Sequence, residues 1–193
     1  MIFIRHGKAA HNLGRGKEHC FAGSKVDNEL TDEGIENAKN LTEKIKEIGG
    51  CDLIVRSNLL RSGQTAEIIA KEFEKPVVEI KELSEIDIGD FAGHTEGEVK
   101  KLYPDSAEAF YSGDIKNWHF PNGENFSQVA VRIGKAIEKI KTIAKQGGRI
   151  VISGHGMINR LTFYLLEPDK VELWQPRSYP HDRIVIINLE GNE

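Results

Sequence analysis

Ile2-Phe3-Ile4-Arg5-His6-Gly7 sets an apolar, strand-favouring run directly against two cationic side chains and a glycine. A short continuous apolar run that ends in a turn signal reads as a buried β-strand. The same grammar returns twice. Leu53-Ile54-Val55 is followed by Arg56 and Arg61, and Ile150-Val151-Ile152 by His155. If these strands are parallel neighbours, their cations converge at one edge of a sheet, where open α/β sheets bind their ligands. Two arginines and two histidines in one place repel each other unless an anion compensates them, and phosphate fits that need.

Outward from these strands the chain alternates. A glycine-rich loop runs through Gly14, Gly16 and Gly23. Ile35, Ala38, Leu41, Ile45 and Ile48 then follow helical periodicity, with Thr31 as N-cap, Asp32 and Glu33 suiting the helix dipole, and Gly49-Gly50 as the stop. Ser57-Asn58 reads as the cap of a second amphipathic helix, Leu60 to Phe73, whose first turn carries Arg61. Pro76 to Ile80 is a short third strand. Residues 81–124, broken by glycines and prolines, read as a cap insertion with short helices. A long helix is predicted from about Phe126 to Lys145, stopped by Gly147-Gly148. Gly154-His155-Gly156 turns into a helix ending at Leu166, and Arg183 to Leu189 supplies a last strand. This order predicts an α/β fold, a three-layer sandwich with a mostly parallel sheet flanked by helices, formed by one domain over residues 1–193.

Composition restricts the function classes. At 193 residues, 39% hydrophobic and 29% charged, the chain has the balance of a globular protein able to bury a core. A net charge of -4 offers no bulk attraction to nucleic acid or anionic membranes, so neither is expected as a partner, and an anionic substrate must be held by a few placed cations. Cys20 and Cys51 are too sparse for a disulfide scaffold or a paired-cysteine zinc site. His11, His19, His94, His119 and His181 show no metal-ligand spacing and read as surface or pocket-rim residues, so no metal or other cofactor is expected. The apolar run at the start is too short for a signal peptide, and no stretch reaches the roughly 20 apolar residues of a membrane span. A cytoplasmic setting follows as the expectation; a homodimer is possible, but no pattern marks its interface.

Several blocks in order are more specific than any one of them: Arg5-His6-Gly7 with Asn12; Gly23 with Asp27 and Leu30-Thr31-Asp32-Glu33-Gly34; Ser57-Asn58-Leu59-Leu60-Arg61 with Gln64-Thr65-Ala66; Leu83-Ser84-Glu85 with Gly89 and Gly93; Gly123-Glu124; and Gly154-His155-Gly156. Over almost its whole length the chain resembles the histidine phosphatase superfamily, which includes the cofactor-dependent phosphoglycerate mutases and many small phosphatases. The resemblance implies a phosphoglycerate mutase-like fold with a small helical cap. It implies that His6 is the nucleophile and becomes phosphohistidine, and that Arg5 and Arg61 grip the non-transferred oxygens. His155 and Asn12 would add donors, Gly23 and Gly156 would border the phosphate, and Glu85 would be the general acid, kept protonated by burial.

Where the family commonly has Glu-Thr after Arg-His-Gly, this chain has Lys8-Ala9, which bears on substrate preference. Lys116, Trp118, His119 and Phe120 could line a substrate pocket, or Trp118 and Phe120 could simply pack the lid. The expected activity is metal-independent hydrolysis of a small phosphomonoester. A phosphoglycerate mutase is the alternative, disfavoured because residues 94–124 offer only Lys100, Lys101 and Lys116 and no arginine. A further alternative is a non-catalytic phosphate-binding or signalling module.

Overall fold

A computed structural model describes residues 1–14, 18–144, 148–174 and 179–188, except for the side chains of Ala144 and Trp174. Its five strands are β1 (Ile2–Arg5), β2 (Leu53–Arg56), β3 (Val77–Glu79), β4 (Ile150–Gly154) and β5 (Ile184–Ile186), in the order β3-β2-β4-β1-β5. The first four are parallel, and only β5 runs antiparallel, against β1. Strands β1 and β2 flank β4 in register, Arg5 opposite Gly154 and Arg56 opposite Ser153, so all three predicted cation-bearing strands end at one edge.

Successive strand residues point to opposite faces, and helices cover both. Ile2, Ile4, Ile54 and Val151 pack with Leu41, Ile45, Ala66 and Ile69 of α1 (Asp32–Glu47) and α2 (Leu60–Phe73). Phe3, Val55, Ile150 and Ile152 pack with Ala136, Ile140 and Phe163 of α5 (Phe126–Ala144) and α6 (Gly156–Leu166). The strands read as unbroken apolar runs because neither face meets water. The cap contains α3 (Glu96–Leu102), α4 (Pro104–Tyr111) and 3₁₀ turns; a short α7 (Val171–Trp174) follows α6. A separate core of Ile86, Ile88, Phe91, Val99, Trp118 and Phe120 seats the cap against Val129, Ile133, Ile158 and Leu161 of α5 and α6.

The predicted elements form, with local corrections. Thr31 caps α1 by accepting from the Gly34 amide at 3.1 Å, but Ile35 and Ile48 stay 38% and 37% exposed because they lie at the edges of the buried stripe. The cap of α2 is not Ser57-Asn58. Its first amide, that of Leu60, is held by the Asp27 carboxylate at 2.8 and 3.0 Å from a distant loop, while Ser57 accepts from the Leu59 amide outside the helix. Arg56 turns away to Glu79, 2.8 Å distant on β3, and contributes nothing to the convergence of cations. Gly16, Lys145, Gly147 and Leu189, invoked in the loop and at element ends, lie outside the described residues. Among the described helices none is long and apolar enough to cross a membrane.

Candidate active site

The turn after β1 is set by a backbone contact that leaves no room for side chains. A Cβ on Gly7 would come 2.1 Å from the Gly34 carbonyl oxygen, and one on Gly34 would come 1.9 Å from that of Lys8. Two glycines therefore let the loop press on the first turn of α1. The Gly7 amide donates to Thr65 Oγ1 at 3.0 Å, and His6, one residue earlier, is buried at the end of the strand.

His6 is oriented through its own neighbour. Its Nδ1 lies 2.7 Å from the Gly7 carbonyl, an acceptor, so Nδ1 carries the proton and Nε2 keeps a lone pair. That lone pair accepts from Arg61 Nε at 3.2 Å. Arg61, 1% exposed, is held by the Val26 carbonyl at 2.6 Å and the Gly23 carbonyl at 3.2 Å, with Asp27 at 3.6 Å. Gly23 thus aims Arg61 through its carbonyl, and its positive φ of 64° and close approach to Ile88 exclude a side chain. Arg5 donates to the Tyr179 carbonyl at 2.7 Å, while its Nε is buried with no partner among the described residues.

His155 stands 5.0 Å from the His6 ring, fully buried, and is not on the open cavity wall. Its Nε2 lies 2.8 Å from Ser57 Oγ, and its Nδ1 is buried without a partner among the described residues. If the Ser57 hydroxyl donates to Nε2, Nδ1 bears a proton without an acceptor among the described residues.

Glu85 lies under the N-terminus of α6. Oε1 accepts from the amides of Ile86 and Ile158, each at 3.0 Å, and Oε2 from Met157 at 3.2 Å. Two amides of this helix end, those of Met157 and Ile158, therefore serve Glu85. The segment leading to Glu85 is clamped from α5. Arg132 donates to the carbonyls of Glu82 and Ser84, each at 2.8 Å, and makes a fork with Glu124 at 2.8 and 2.7 Å, which places the Gly123-Glu124 block in the supporting frame. Asn12 lines the cavity, but its Oδ1 accepts from the Ala9 amide at 2.9 Å, so part of its role is to close the loop. Gly156 lines the cavity beside the Arg5 guanidinium.

The cavity holds about 440 Å³. Arg5, His6, Arg61 and Glu85 line it together and form what we call its floor, whereas His155, expected with them, is buried behind it. Lys116, Trp118, His119 and Phe120 do not line it; Trp118 and Phe120 are buried in the cap's own core. Residues the sequence reading left at the rim or missed do line it: His11, His19 and His181, with Phe21, Phe110, Tyr111, Met157, Arg160 and Tyr179. His181 Nδ1 sits 2.6 Å from the His6 carbonyl, and its ring is 5.5 Å from that of His6. Only chain folding reveals these, since each is an isolated histidine, a lone arginine or an ordinary aromatic or apolar residue in sequence.

Burial first, then the positive charge of Arg5 and Arg61, makes protonation of the histidines unfavourable. His6 and His155 are held well below the usual imidazole range, with the neighbouring His155 also disfavouring charge on His6. His11 is lowered to about 3 and His181 to about 4, both chiefly by burial. Burial also lowers Arg5 to about 10, against the opposing pull of Glu85. The site is thus two desolvated guanidinium groups among neutral imidazoles, an arrangement suited to a dianion next to a nucleophilic ring nitrogen. Among the described residues no group of three or more His, Cys, Asp or Glu side chains could hold a metal ion.

A family model for the histidine phosphatase superfamily (branch 1) matches residues 1–193. The 2,3-bisphosphoglycerate-dependent phosphoglycerate mutase of Methylocella silvestris is 28% identical over 187 residues, covering 93% of this chain and 84% of the mutase. The adenosylcobalamin/alpha-ribazole phosphatase of Escherichia coli is 27% identical over 177 residues, covering 90% of this chain and 82% of that protein. In fold, the chain is similar to Bacillus stearothermophilus YhfR, with a TM-score of 0.80 at 24% identity, covering 98% of this chain and 91% of that one. Strand order, buried floor and whole-chain match agree: this chain belongs to branch 1 of the histidine phosphatase superfamily.

Proposed function

We propose that this chain is a metal-independent phosphomonoesterase of the cytoplasm, a single domain that hydrolyses a small organic phosphate through phosphohistidine on His6. The observation that carries the reading is the tautomer of His6. With Nδ1–H spent on the Gly7 carbonyl, the nucleophilic pair is on Nε2, beside Arg61.

An entering phosphate takes over the Arg61 Nε–H and meets the unpartnered Nε of Arg5 and Nδ1 of His155. Nε2 of His6 then bonds to phosphorus as the ester P–O bond breaks, and the leaving oxygen takes a proton from Glu85. Oε2 of Glu85 accepts a single amide, against two for Oε1, and so has more room for that proton. In the second step water attacks phosphorus and returns a proton to Glu85. The N–P bond breaks, which releases phosphate and neutral His6.

Phosphoglycerate mutation is the second reading, favoured by the Methylocella silvestris relative. It has to retain a bisphosphorylated intermediate, yet Lys100, Lys101 and Lys116 of the cap do not line the cavity. The test is hydrolysis of an aryl phosphate in excess EDTA by wild type and His6→Ala, with phosphoglycerate interconversion assayed alongside. Turnover by wild type alone supports the proposal. Interconversion that outpaces hydrolysis transfers the assignment to a mutase, and an inert wild type that still binds vanadate leaves a phosphate-binding module.

A further inference from the structure

Above the phosphate floor, the cavity wall is the exposed side of the cap's own core. Phe21, Phe110, Tyr111 and Met157 line the cavity and pack on that core from behind. Their rings are fixed by neighbours: Phe21 by Phe91 and Phe110, each with centroids 5.7 Å away, and Phe110 by Tyr111 and Trp118, each at 5.1 Å. A rigid aromatic wall that is only partly covered rewards an apolar occupant and offers little to a polyol.

The lining charges point the same way. Arg5 and Arg61 answer one phosphate dianion. Lys8 is paired with Glu33 at 2.7 Å, and Arg160, 6% exposed, lies over the Trp118 ring at 5.2 Å. Glu96, which also lines the cavity, is likewise paired, with Lys100, so beyond the Arg5 and Arg61 pair the lining charges are already engaged with protein groups.

We infer that the substrate is a phosphomonoester whose alcohol carries a flat aromatic or apolar body and no second anionic group. The inference rests on the phosphatase reading above and narrows it to a substrate class. Phosphate sits on the floor and the body stacks on Phe21, Phe110 and Tyr111, so carboxylate-bearing esters such as phosphoglycerate and phosphoserine are poor substrates.

The test compares alkyl esters, so that the leaving alkoxides are similar: benzyl phosphate, glycerol 1-phosphate and phosphoserine. Burial of one aromatic ring predicts kcat/KM for benzyl phosphate about tenfold or more above glycerol 1-phosphate, with phosphoserine lower still. Equal rates for the first two, or a preference for phosphoserine, overturn the inference and leave the phosphatase reading standing. Phe21→Leu and Tyr111→Ala are expected to lower the benzyl-to-glycerol ratio; an unchanged ratio in the folded variants counts against the wall. Inhibition constants of benzylphosphonate and methylphosphonate on wild type give a readout that needs neither turnover nor variants. Tighter binding of benzylphosphonate by about tenfold is expected, and equal affinity removes the aromatic site. Inertness toward all three esters defeats the phosphatase reading, and the phosphonate pair then decides the wall by itself.

Discussion

Arg61 on the floor of the cavity and Phe110 on its wall are both held firmly, by different physics. Arg61 is fixed by directed bonds to the Val26 and Gly23 carbonyls and to His6, each of which specifies an angle as well as a distance. Phe110 is fixed by ring packing against Phe91, Tyr111, Trp118 and Phe120, which specifies shape and little else. A floor of this kind tolerates almost no substitution, because an unpaired buried polar group is costly. A wall of this kind accepts other apolar residues of similar volume at small cost. The chemistry is therefore constrained at the floor, and the choice of leaving group is open to change at the wall.

The largest effect that would test this contrast is at His6. His6→Ala removes the nucleophile and is expected to lower kcat by about 10⁴-fold or more, with no acid-labile phosphoenzyme in a rapid-quench experiment. Gly34→Ala strikes the packing beneath the floor. Its Cβ would meet the Lys8 carbonyl oxygen at 1.9 Å, and urea denaturation should show a loss of about 3 kcal/mol. A loss under about 1 kcal/mol would mean that the loop can yield.

Arg61→Lys keeps the charge and loses the fork. A drop of about 10²-fold in kcat/KM is expected, because an ammonium cannot hold the Gly23 and Val26 carbonyls and a phosphoryl oxygen together. Arg132→Ala loosens the segment that carries Glu85. About tenfold in kcat is expected, with vanadate affinity little changed and a smaller loss for a fast-leaving nitrophenolate than for an alkyl ester. Equal losses for both leaving groups would detach Arg132 from the acid step.

The most gradual effect concerns His181, buried and lowered to about 4 against about 6.5 in the unfolded chain. Between those values the unfolded state binds a proton that the folded state refuses, so stability falls as pH falls from 6.5 toward 4 and levels off below. His181→Gln should flatten that slope by at most about 1 kcal/mol per pH unit, less solvent screening, read as melting temperature against pH.

The strand-end cations and His155 behind them were legible in sequence because each follows its strand locally, whereas Glu85 was reached through the family resemblance. A strand of Ile2-Phe3-Ile4 dictates where Arg5 and His6 emerge, and Gly154-His155-Gly156 does the same after β4. The helix cap at Leu60 was not legible, because Asp27 reaches it from 33 residues away. The sequence left Trp118 and Phe120 open between pocket and lid for a related reason. A large ring in a cap has the same sequence signature whether it faces a cavity or a core, and here it faces the core.

The sequence by itself determined the order of buried strands and amphipathic helices, the glycines that permit close backbone approach, and which cations follow which strand. Those follow from side-chain period and steric rules that act over a few residues. Only the tertiary structure decided that Arg56 leaves the site, that His11 and His181 join it, that Arg132 braces Glu85, and that residues 21, 110, 111 and 157 share one wall. Each of these depends on contacts between distant segments, whose partners are selected by the packing of the whole core rather than by neighbours in the chain.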